Sequence, residues 1–185
     1  MRGTKLLRTI RLDPSDAFVF GHAAEPGEWA VTGSFLFADA DPEALSRKER
    51  AAFRSGFVGV TSLGFSTLAV VSEASEDEME AAVADLARHI HGSLGAPSDA
   101  VAREAAREEL AVSASLCGPA VNTVIAMHRT LEGGELREQF RTLQPRPPVA
   151  GGDRLHAGAR AFQFVEVEEE PEEHVDLTAL IEKPR

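Results

Sequence analysis

The stretch VNTVIAMHRTLEGGELREQFRTL, residues 121–143, decides the fold. Two runs rich in apolar and β-branched residues, 121–131 and 135–143, flank Gly133-Gly134. A two-residue hairpin turn demands positive φ angles, which glycine adopts without steric cost. Centring the turn on that pair sets the register, with facing residues whose numbers add to 267. On one side Leu131 faces Leu136, Met127 faces Phe140 and Ile125 faces Thr142. Arg129 faces Glu138 there, a cross-strand ion pair. This is the side expected to look inward. The other side carries Thr130 with Arg137, His128 with Gln139, Ala126 with Arg141, and Val124 with Leu143.

That second side holds the candidate ligand-binding constellation: His128, Arg137, Gln139 and Arg141. Two guanidinium groups two positions apart on one strand face can clamp a carboxylate or phosphate. A histidine among them can transfer a proton to or from a bound ligand. The plainer reading is a solvated strand face, because exposed antiparallel faces are commonly polar.

Upstream, the pattern alternates between strands and helices. KLLRTIRL (5–12) and AFVF (17–20) read as strands separated by the turn cluster DPSD. Residues 28–38 alternate, with Trp29, Val31, Gly33, Phe35 and Phe37 on one face; core packing outranks a ligand wall for such a row. Asp41-Pro42 supplies an N-cap and a first-turn proline, which predicts a helix to residue 55 with Leu45, Ala52 and Phe53 inward and Gly56 as its stop. Strands follow at 57–61 and 64–73. The latter is apolar on both faces, the pattern of a central strand. Ser75 with Glu78 forms a capping box, and Met79, Val83, Leu86, Ile90 and Leu94 recur at helical spacing. Ser98 or Asp99 caps a further helix reaching about Cys117. The sum is an α+β fold: an antiparallel or mixed sheet of about six to seven strands packed on three helices, with a C-terminal extension. The passage 28–38, 41–55, 57–73 suits a right-handed parallel crossover as well as antiparallel pairing.

The chain has 185 residues, enough to bury about 70% of its unfolded surface. It is 43% hydrophobic and 26% charged, which excludes wholesale disorder. A net charge of −11 repels phosphate backbones and anionic lipid. Neither nucleic acid nor membrane is therefore an expected partner. MRGTKLLRTIRL has no continuous apolar core of a secretory signal, and one cysteine excludes a disulfide framework. A cytoplasmic location is expected.

The composition changes near residue 145. QPRPPVAGGD reads as a Pro/Gly linker, which divides the chain into an α+β domain at 1–144 and a linker plus acidic extension at 145–185. Residues 165–182 hold eight acids and no lysine or arginine. Just before them, ARAFQFVEVEEE (159–170) suits one more strand. Phe162 and Phe164 favour docking over pure solvation, whether on a protein partner or on another copy's sheet edge.

No catalytic motif is present. The glycines of SGFVGVTSLGFS lack the Gly-Lys-Ser/Thr of a phosphate loop. Ser66 lies within a strand and lacks the second glycine of a nucleophile elbow. His89 and His91 point apart on a helix, and His22, His128, His156 and His174 have no metal-ligand spacing. Cys117, at a helix C-terminus, reads as a buried structural thiol. Arg47, Lys48, Arg50 and Arg54 read as a solvated helix face. No catalytic residue, metal or cofactor is expected.

The stretches KLLRTIRLDPSDAFVF, AAEPGEWAV, AAFRSGFVGVTSLGFSTLAVVSEAS and MHRTLEGGELREQFRTLQPR resemble a small family of uncharacterised bacterial proteins that carry a domain-of-unknown-function label. The resemblance covers about residues 4–146. It implies genes near those of formate-dehydrogenase-like molybdoenzymes and a biotin/lipoate-ligase-like protein, and hence an accessory or assembly role through protein–protein contacts or self-association. It supplies no catalytic residues. The alternative is a domain or enzyme that binds an anionic small molecule on the polar hairpin face.

Overall fold

Leu6 and Leu7 are adjacent and both wholly buried. Successive strand residues point to opposite faces, so the strand that carries them is covered on both sides. In the computed structural model, which describes residues 4–145 and 164–167, that strand is β1 (Thr4–Ile10). It is followed by α1 (Ser15–Val19), β2 (Trp29–Val31), α2 (Arg47–Ser55), β3 (Phe57–Gly59), β4 (Phe65–Ser66) and β5 (Leu68–Ala74). Then come α3 (Glu76–Ser93), α4 (Asp99–Ser115), β6 (Val124–Glu132), β7 (Glu135–Pro145) and β8 (Phe164–Val167). The strands form one sheet in the order β4-β3-β2-β1-β5-β6-β7-β8, antiparallel throughout. This is an α+β fold. As its two-sided apolar pattern predicts, β5 lies in the interior, between β1 and β6.

Several local expectations are corrected. Residues 17–20 are not a strand. Asp13 accepts a hydrogen bond from the Ser15 amide at 2.8 Å, and the turn cluster winds straight into α1. Residues 28–38 do not form one strand either. The strand stops at Val31, Gly33 adopts a left-handed φ of 79°, and Ser34–Phe37 make a 3-10 turn. That reversal removes the parallel option: β2 and β3 pair antiparallel, Val31 opposite Val58. The expected aromatic row is split, and Phe37 instead meets Phe53 edge-on at 5.4 Å between ring centroids.

The helix expected from Pro42 begins at Arg47. Ser46 and Glu49 form a complete capping box, which satisfies two orphan amides where Asp41 would satisfy one. The run 64–73 divides at Thr67. Its amide and hydroxyl both donate to the buried carboxylate of Asp16, at 3.3 and 2.5 Å, and so leave the ladder. Leu94 falls just past α3 and is exposed, so it ends the apolar stripe early.

The remaining helix signals hold. Ser75 and Glu78 cap α3 reciprocally, and Ser98 caps α4. Val83, Leu86 and Ile90 of α3 pack against Ala102, Ala106 and Leu110 of α4. The Ser113 hydroxyl of α4 donates to the Ala30 carbonyl at 2.8 Å and ties the helix pair to the sheet. Cys117 is buried beside Leu7, Ala30 and Ile125, and burial pushes its thiol up to about 11. Near α3, Arg8 lies 3.5 Å over the Trp29 ring and pairs with Glu78 at 3.1 Å.

Gly33→Ala should cost at least about 1–2 kcal/mol for the left-handed backbone alone. The added Cβ would also overlap the Val58 side chain. Urea denaturation should show a lower midpoint at unchanged slope.

Candidate functional site

Gly133 and Gly134 have φ angles of 60° and 85°, and the hairpin pairs in the expected register from Val124–Leu143 to Glu132–Glu135. Ile125 and Met127 are buried, while His128, Arg137, Gln139 and Arg141 are exposed together on the opposite face. Arg137 Nε lies 3.2 Å from Glu132 on that face. None of the four lines either cleft described below. Phe164 opens β8 opposite Pro145, and Phe162 lies outside the described residues.

The inward face holds what the ion-pair reading only half anticipated. Arg129 meets Glu138 at 2.9 Å, and its residue is 0% exposed. Every arm of the guanidinium is used. Nη1 donates to the Phe53 carbonyl on α2 at 2.8 Å, and Nη2 donates to the Thr32 carbonyl after β2 at 2.5 Å. The cation sits 5.1 Å from the Phe37 ring centroid. Desolvation lowers the Arg129 pKa, and Glu138 pushes it back up.

Glu109 of α4 approaches the same pair. With Glu138, Ser34, Phe35, Ala38 and Leu136 it lines a cleft of about 320 Å³. Burial raises its carboxyl to about 7, repulsion from Glu138 and Glu108 adds to the rise, and Arg129 opposes it. The signal was present in the sequence: Glu109 stands next to Leu110 on the side of α4 marked by Ala102, Ala106 and Ser113. A carboxylate placed beside an apolar stripe at helical spacing is a candidate for a raised pKa.

The arrangement can hold or release one proton near neutral pH. Such a group suits acid–base chemistry, but buried ion-pair networks also produce it without catalysis. Among the described residues no three His, Cys, Asp or Glu side chains gather as metal ligands. Ser66 is buried, its hydroxyl 3.0 and 2.8 Å from the carbonyls of Ile10 and Leu68. His89 and His91 each bind a backbone carbonyl, of Thr61 and Ala96. Arg47, Lys48, Arg50 and Arg54 are exposed. No described helix is long and apolar enough to cross a membrane.

A model of a family of unknown function (DUF6505) matches residues 4–157. The chain belongs to that family. The DUF6505 match runs from β1 through β7 and past Pro145. No curated protein and no solved structure matches the chain.

Arg129→Ala should destabilise the DUF6505 domain by about 3–5 kcal/mol, because Glu138 and two buried carbonyls lose the guanidinium that pairs with them. Chemical denaturation measures this. Glu109 gives a second test, with the opposite sense. Its folded pKa lies above the ordinary 4.5, so the folded state binds the proton more tightly. Stability from that proton is fully present below about 4.5 and drains away as pH rises through about 7. Glu109→Gln should therefore melt above the wild type at pH 8, with the gap closing toward pH 4. Equal gaps at both pH values would refute the assignment.

Proposed function

We propose that this DUF6505 chain is a cytoplasmic, non-enzymatic accessory or assembly protein that works through protein–protein contacts. The observation that carries the reading is the corner around α1. Phe18 is 75% exposed, and Leu12 and Val19 are exposed beside it in sequence. α1 is not a fraying turn. Asp16 within it is buried against Thr67, and Phe20, just after it, packs into the core with Phe37 and Phe53. A large aromatic presented to water on an anchored element is a common anchor of protein interfaces. The adjoining cleft, about 110 Å³ and lined by Leu12, Asp13 and Leu68 among others, is too small for a typical organic ligand.

The open hairpin face supports the same reading over the small-anion alternative. Among the described residues His128, Arg137, Gln139 and Arg141 share an exposed face and line neither of the two clefts above, and small ligands favour enclosure. The tie to a formate-dehydrogenase-like molybdoenzyme system rests on the family resemblance.

Affinity capture from native lysate with the wild-type chain and with Phe18→Ser tests the proposal. A defined protein should co-purify with the wild type and fall at least about tenfold with the variant, given the weight of buried aromatics at interfaces. Equal recovery with both, or recovery of the bait alone, would overturn it.

A further inference from the structure

The cleft beside Arg129 is assembled from three separate parts of the chain: the 3-10 turn after β2, α4 and β7. At about 320 Å³ it lies at the small end of organic-ligand pockets, which run from about 300 to 1,000 Å³. Its lining mixes apolar Phe35, Ala38 and Leu136 with polar Ser34, Glu109 and Glu138. The charges around it do not balance. Glu138 is engaged by Arg129 through Oε1 at 2.9 Å. Glu109 takes part in no hydrogen bond and no ion pair among the described residues. Once ionised, Glu109 leaves these three groups with one negative charge in excess. Glu138 and Glu108 repel that charge, and Arg129 offsets it only in part.

We propose that this cleft binds a primary ammonium group on a short apolar stem, with Glu109 as its counter-ion. The ammonium carries one positive charge and three N–H donors. The cleft offers three acceptors: the Glu109 carboxylate, the Ser34 hydroxyl and the second oxygen of Glu138, which accepts no bond from Arg129. Phe35, Ala38 and Leu136 give the stem apolar contact. An anion would be repelled by the excess charge, and among the described residues no three His, Cys, Asp or Glu gather to hold a metal. Burial and the neighbouring acids push the Glu109 carboxyl up to about 7. An ammonium must displace that proton, so binding strengthens as pH rises through 7. The group belongs either to a free amine or to a lysine side chain of a partner. No residue of the α1 corner patch lines this cleft, so the two sites stand or fall separately.

Nuclear magnetic resonance titration of the full chain tests the proposal. Benzylamine is the free-amine probe, the acetylated and amidated tripeptide Gly-Lys-Gly the protein-borne one, and benzyl alcohol the uncharged control. Benzylamine should produce saturable shifts at the backbone amides of residues 34–38, 109 and 136–138. Its affinity should rise about tenfold or more between pH 5.5 and pH 8, and fall about tenfold or more in Glu109→Gln at pH 8. That variant keeps the side chain's shape and is expected to be the more stable protein at pH 8, so a loss of binding reports the missing charge. Tighter binding of the peptide than of benzylamine would support the site with a partner lysine as the source, and the reverse order would support it with a free amine. No saturable shift with either amine, equal binding of benzyl alcohol, an affinity indifferent to pH, or undiminished affinity in Glu109→Gln would each overturn the proposal.

Discussion

A guanidinium cut off from water holds the middle of this fold in place. Arg129 reaches from β6 to β7 through Glu138, to α2 through the Phe53 carbonyl, and to the turn after β2 through the Thr32 carbonyl. Helix termini and interrupted strands leave carbonyls without partners, and burying them unpaired is costly. Here one side chain satisfies two such groups together with a carboxylate. Arginine fits where lysine would not, because its planar fork aims several N–H groups along fixed directions. A buried ion pair of this kind is weak evidence for net stability and better understood as a determinant of which packing is adopted.

The consequences spread to the cleft beside it. Glu138 cannot turn away from Arg129 without leaving a buried cation unpaired, so its carboxylate stays against α4. Glu109 is placed on the facing side of that helix and takes the repulsion. One interaction chosen for packing thus sets the protonation of a neighbour on another element. Among the described residues no cluster of three His, Cys, Asp or Glu side chains that could hold a metal accompanies it.

The elements legible in the sequence were those whose signals are local and self-consistent. Gly133-Gly134 gave the hairpin register, and Ser75 with Glu78 gave the start of α3. Where two local signals competed, the outcome turned on hydrogen bonds that periodicity does not encode. Asp41-Pro42 lost to Ser46 with Glu49, and Thr67 left its strand for the Asp16 carboxylate, 51 residues away in the chain. The alternation across residues 28–38 does not reveal that Gly33 is the turning point and not a face position. For the site, parity alone put Arg129 and Glu138 on the inner side. That Arg129 would be wholly enclosed depends on α2 and the 3-10 turn closing over it, a tertiary fact with no sequence period.

Trp29 is the chain's one tryptophan, and there is no tyrosine. It is covered by the Arg8 guanidinium, which Glu78 at the start of α3 holds from the other side. Near-ultraviolet emission from this molecule therefore originates at a single indole, where β1, β2 and the first turn of α3 meet. The protein carries an intrinsic optical reporter of that junction and needs no attached dye for its opening to be followed.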